Sequence, residues 1–114
     1  MPVEIWHNPR CSKSRQTLKL LEDRGIEPKI RLYLDNAPTK AQLLEVISQL
    51  GIEPRELMRK GEAVYKENDL AKITDPEALV GTMVRFPILI ERPIVIGPNG
   101  ASIGRPPERV LEVL

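Results

Sequence analysis

Apolar and polar positions divide this chain into short elements joined by clear turn signals. Val3 to Trp6 is a short apolar, strand-like run. Ser12 to Arg24 reads as a helix that Gly25 stops. A second strand is expected over Lys29 to Leu34, after which Asn36-Ala37-Pro38 turns the chain. Thr39 to Gln42 has capping-box spacing, and Leu43, Ile47 and Leu50 follow at helical intervals up to Gly51. A short helical piece is expected at Arg55 to Met58. Thr74-Asp75-Pro76-Glu77 signals another start, for a helix through Leu79 and Met83 that ends before Pro87. The pattern then turns β-rich. Pro93 to Ile96 and Ala101 to Ile103 flank the hairpin turn Pro98-Asn99-Gly100, and Pro106-Pro107-Glu108 opens a last helix to Leu114.

The predicted order is β-α-β, then helices, then β-β-α. By element order this is an α/β chain with a thioredoxin-like fold: β-α-β and β-β-α units around a mixed sheet, with a helical insertion between the halves. Fold alone assigns no chemistry. Its 114 residues suit a single domain over 1–114, and no repeat or low-complexity linker interrupts it.

Composition narrows the function classes. With 17 basic and 16 acidic residues the net charge is +1, so no global field draws nucleic acid or an anionic membrane. No apolar run approaches the roughly 20 residues of a membrane span, and no signal segment opens the chain. A single cysteine excludes an internal disulfide framework and fits a reducing compartment, so a cytoplasmic location is expected.

That cysteine, Cys11, lies between the first strand and the first helix in the run His7-Asn8-Pro9-Arg10-Cys11-Ser12-Lys13-Ser14-Arg15. A thiol there meets the free N–H groups and positive end of the helix, which favour its thiolate form. Lowering a thiol's pKa by two units takes roughly 2.7 kcal/mol, whereas an exposed helix terminus supplies roughly 0.3–1 kcal/mol. Cations must add the rest, and Arg10, Lys13, Arg15 and His7 are the candidates. The alternative is a small buried apolar residue, a common fate of free cysteine. The polar and cationic flanks favour reactivity.

His7, the only histidine, is a candidate general base, a charged neighbour of the thiolate, or a hydrogen-bonding residue at a strand end. Ser14 is a candidate donor to the thiolate or a helix cap. One histidine and one cysteine cannot complete a protein-made zinc site, so no metal is expected. Two rival cysteine chemistries fail on spacing. A Cys-x5-Arg phosphatase loop would need arginine where Thr17 stands, and a Cys-x-x-Cys dithiol would need cysteine at Ser14. A catalytic Cys11 must therefore form its disulfides with other molecules.

His7-Asn8-Pro9-x-Cys11-x-x-Ser14-Arg15 with Thr17-Leu18 resembles the active-site segment of the glutaredoxin-dependent arsenate reductases. Glu56 to Lys60, Pro87 to Val95 and Gly104-Arg105-Pro106 fall in matching order, so the likeness runs from about Ile5 to the C-terminus. The resemblance implies that Cys11 attacks arsenate, with His7, Ser14 and Arg15 around it. It also implies that Arg59, Arg92 and Arg105 hold the oxyanion, and that the Arg92-Pro93 bond is cis. Arginine suits that role because it stays charged and offers a planar fork of donors; surface charge or salt-bridge partner is the alternative for each. Arg10 and Ser12-Lys13 depart from the best-known members, which carry Gly-Thr between cysteine and serine.

By the same resemblance, glutathione is the co-substrate, glutaredoxin the partner, and no cofactor is bound; nothing in the sequence argues for a dimer, so a monomer is expected. Two other functions compete. Spx-like transcription regulators resemble this family and bind RNA polymerase, but they have no need of the arginine set. A monothiol glutaredoxin-like thiol transferase would match Cys-x-x-Ser, yet Arg92 before Pro93 argues against it.

Overall fold

A computed structural model of the chain describes residues 2–114. The backbone separates into two compact units: the chain up to Asn36 together with Arg92–Leu114, and Ala37–Glu91.

The first unit is built on a four-stranded sheet. β1 (Glu4–Trp6) leads through α1 (Ser12–Asp23) to β2 (Lys29–Arg31), and β3 (Ile94–Gly97) returns as β4 (Gly100–Ile103). The strand order is β2-β1-β3-β4, with β1 parallel to β2 and antiparallel to β3. Parallel neighbours need a crossover, and α1 is that crossover. This is the mixed sheet of the thioredoxin-like expectation. β3 and β4 form the predicted hairpin, paired from Ile94↔Ile103 to Gly97↔Gly100.

Packing in this unit follows the two periodicities. α1 buries Ser14, Thr17 and Leu21 along one face. Leu21 joins Val3, Ile5, Val95, Val110 and Val113 in the core, and fully burying such a side chain contributes about 1.5–3 kcal/mol. The same helical face is thus apolar toward its C-terminus and polar near Cys11. A polar buried end is where chemistry can sit.

Two elements of this unit differ from expectation. β2 stops at Arg31 because the N–H groups of Asp35 and Asn36 both donate to the Leu32 carbonyl, which bends the chain away from the ladder. The last helix is a 3-10 stretch, Pro107–Val113. The bond Arg92-Pro93 is cis, as the resemblance implied, and Arg105-Pro106, which the pattern did not suggest, is cis as well.

The second unit is helical: α2 (Lys40–Leu50), α3 (Ala63–Glu67) and α4 (Pro76–Arg85), with 3-10 turns at Pro54–Leu57, Leu70–Lys72 and Pro87–Leu89. Thr39 caps α2 reciprocally with Gln42, at 3.1 and 2.9 Å, and Gly51 ends it at φ 69°. Within the expected start signal Asp75 caps α4, accepting the Glu77 N–H, and Pro76 takes the first helical position. α3 has only five residues, too few to show a period in sequence. Arg55 holds it, donating to Tyr65 Oη at 2.7 Å, to the Leu70 carbonyl at 3.1 Å and to the Ile73 carbonyl. Among the described residues, no helix is long and apolar enough to cross a membrane.

Candidate active site

Sheet register brings the first unit's site residues to one edge. Ile94 faces Trp6 on β1 and Ile103 on β4. Beyond that row the hairpin stays closed, since the Gly104 N–H donates to the Pro93 carbonyl at 2.9 Å. Continuing the antiparallel register one further step sets Arg92 opposite Arg105. The link between them is a side-chain one: Arg105 Nε donates to the Arg92 carbonyl at 2.8 Å.

Cys11 occupies the N-cap of α1, with φ −94° and ψ 123°. Its N–H donates to the Asn8 carbonyl at 3.0 Å, and its carbonyl accepts from the Arg15 N–H at 3.0 Å. The residue is buried at 8% exposure, so the burial typical of free cysteine and a polar setting occur together. Arg105 Nη2 reaches Sγ at 3.6 Å. A distant arginine, outside the expected set of Arg10, Lys13, Arg15 and His7, thus contacts the sulfur. Arg15 instead turns back on the loop, with Nη1 donating to the Pro9 carbonyl at 2.8 Å.

His7 and Ser14 form a buried pair. His7 Nδ1 lies 2.6 Å from Ser14 Oγ, which also accepts the Asn8 N–H at 3.0 Å. Burial, and then the Arg15 guanidinium, hold the His7 pKa below its ordinary value, while Glu22 opposes them. A neutral ring with Nδ1 accepting from the Ser14 hydroxyl satisfies both groups. His7 thus stands as a hydrogen-bonding residue just past the end of β1. The Ser14 hydroxyl ties strand end to helix, and no side-chain bond caps α1, which corrects the reading of Ser14 as a helix cap. Sequence spacing could not show this because the two residues meet only after the loop folds back.

Gly104 opens the Gly104-Arg105-Pro106 motif, and its packing explains why it is glycine. A Cβ there would lie 2.6 Å from Thr17 Oγ1 and 2.9 Å from Pro93 Cγ, closer than real Cβ contacts come. Thr17 is fully buried, with Oγ1 donating to the Lys13 carbonyl at 2.8 Å. Helix, cis-proline and the segment after β4 that carries Arg105 are thereby packed against one another.

Arg59 belongs to the second unit. There its N–H donates to the Leu89 carbonyl at 2.7 Å, beside the Met58↔Ile90 bridge. Nη1 is 3.1 Å from Glu62 and Nε 3.8 Å from Glu91, so this guanidinium has carboxylate partners. Among the described residues, no group of His, Cys, Asp and Glu is arranged to hold a metal ion.

The profile of the ArsC family matches residues 6–113. An uncharacterized protein of Escherichia coli K12, YfgD, is 51% identical over 114 residues, covering 98% of this chain and 96% of its own length. An arsenate reductase of Haemophilus influenzae is 47% identical over 116 residues, with both chains covered in full, 100% and 100%. Among solved structures, an arsenate reductase from Vibrio cholerae superposes with a TM-score of 0.96 at 48% identity, covering 100% of this chain and 98% of its own.

Proposed function

The chain belongs to the ArsC family, and from that premise we propose that it is an arsenate reductase that works through Cys11 and draws its electrons from glutathione and glutaredoxin. The observation that carries this reading is the Arg105 guanidinium on the Cys11 sulfur at 3.6 Å, within the hairpin edge that also bears Arg92. The thiolate is the nucleophilic form of cysteine, and a guanidinium donates well both to sulfur and to an anion's oxygens.

In the proposed sequence the Cys11 thiolate attacks arsenic. A sulfur–arsenic bond forms, and one arsenate oxygen takes up protons and leaves as water. Arg105 and Arg92 bind the remaining oxygens and offset the charge they gather. The thiol of glutathione then attacks the Cys11 sulfur. A sulfur–sulfur bond forms while the sulfur–arsenic pair passes to arsenic, which departs two electrons richer as arsenite. A glutaredoxin thiolate removes the glutathione by exchange and returns Cys11 as thiolate. With serine at position 14, no internal thiol competes for that step.

The test follows arsenate-dependent NADPH consumption coupled through glutathione, glutathione reductase and glutaredoxin, with arsenite measured directly. Turnover is expected with the wild-type protein and none with Cys11→Ser. Replacing the glutathione couple by thioredoxin and its reductase should give little activity; equal rates with both would reject the stated reductant. Absence of arsenite under every thiol system would reject the function itself.

A further inference from the structure

A pocket of about 290 Å³ opens in the first unit beside the Cys11 loop. One wall is His7, Asn8 and Arg10, the run that ends at the cysteine; the other is Leu32, Leu34 and Asp35, where the chain leaves β2. The Cys11 N–H bond to the Asn8 carbonyl closes this run into a turn, so the wall and the cysteine belong to one hydrogen-bonded loop.

Its lining is chemically uneven in a usable way. Arg10 and Asp35 both face this pocket, yet among the described residues neither makes an ion pair or a side-chain hydrogen bond. Leu32 and Leu34 are 40% and 42% exposed, high for large apolar side chains. His7 has Nδ1 engaged by Ser14, so the ring can offer this pocket only Nε2. A cation, a carboxylate, an N–H donor and an apolar wall suit a small ligand that carries both charges on a short chain. A lone oxyanion would leave Asp35 and the leucines without partners and would be repelled by the carboxylate.

We propose that this pocket binds the thiol co-substrate, a zwitterionic thiol peptide of glutathione's chemistry, with a carboxylate on Arg10 and the ammonium on Asp35. The proposal rests on glutathione being the reductant. It adds that the tripeptide is recognised on the face formed by the Cys11 loop and the end of β2, separately from the arginines assigned to arsenate. Arg10, which the resemblance left as an extra charge, acquires a task here. Recognition by paired exposed charges is modest in strength, which suits a reductant that must leave after each cycle.

Two measurements test this. In the coupled assay, Arg10→Ala and Asp35→Asn should each raise KM for glutathione about three- to tenfold, with KM for arsenate within about twofold of wild type. With 2-mercaptoethanol as reductant the same variants should match wild type, because that thiol carries neither charge. Separately, S-methylglutathione titrated into Cys11→Ser should shift amide resonances of residues 7–10 and 32–35, more weakly after Arg10→Ala. An unchanged glutathione KM in both variants, or shifts confined to other residues, overturns the proposal. Failure of arsenate reduction in the wild type would instead strike the functional reading, and the titration would still decide whether the pocket takes the peptide.

Discussion

Arg105 contacts the Cys11 sulfur with Nη2 at 3.6 Å while its Nε donates to the Arg92 carbonyl at 2.8 Å. One planar fork thus spans the nucleophile and the opposing strand, a geometry that an ammonium cannot copy.

Arg105→Lys keeps the charge and loses the fork. Hydrogen bonds to charged groups contribute about 1.5–3 kcal/mol, so kcat/KM for arsenate should fall about 10- to 100-fold. Thermal stability should change little, since the side chain is exposed. Wild-type kinetics in this variant would remove the forked contact from the mechanism.

Ser14→Ala deprives the buried His7 Nδ1 and the Asn8 N–H of their shared partner. Leaving such groups unsatisfied costs about 1–3 kcal/mol, which urea denaturation should register as a lower midpoint with an unchanged slope. A variant as stable as the wild type would mean that water or another group replaces the hydroxyl.

His7 also sets a pH dependence. Its folded-state pKa is depressed by burial and by Arg15, so between that value and about 6.5 the unfolded chain binds the proton more readily. The neutral ring's stabilisation is complete above about pH 6.5 and is lost as pH falls through the folded-state value. Melting temperature should therefore decline on acidification through this window in the wild type, and less steeply in His7→Gln. Parallel curves for the two proteins would rule the histidine out as the source.

Gly104→Ala places a methyl group 2.6 Å from Thr17 Oγ1. Forcing it in should cost about 1–3 kcal/mol and shift the segment that carries Arg105 away from α1. Reduced stability and slower alkylation of Cys11 should appear together. Adding Thr17→Ala opens the space and should recover part of both. Full activity in Gly104→Ala alone would show that the packing tolerates a Cβ.

Much of this site is foreshadowed by local signals. The strand, turn and helix around Cys11 follow from Val3 to Trp6, from Asn8-Pro9 and from the helical run after Ser12. The two-residue turn Pro98-Asn99 sets the hairpin register, and that register places Arg92 across from Arg105 many residues away. Other features leave no local trace. α3 is too short for periodicity and is held by Arg55 from outside its own segment.

Turn chemistry and apolar period act over a few residues, so the chain's own order determined where its elements lie, which strands form the hairpin, and that its sole thiol begins a helix. Which groups touch that thiol was decided by tertiary packing. The nearby cations Arg10, Lys13 and Arg15 looked adequate by position, yet the group on sulfur is Arg105, and Ser14 serves His7. The reason is geometric: antiparallel pairing and a Cβ-free glycine against Thr17 bring distant side chains within hydrogen-bonding reach, whereas neighbours along a tight turn point apart.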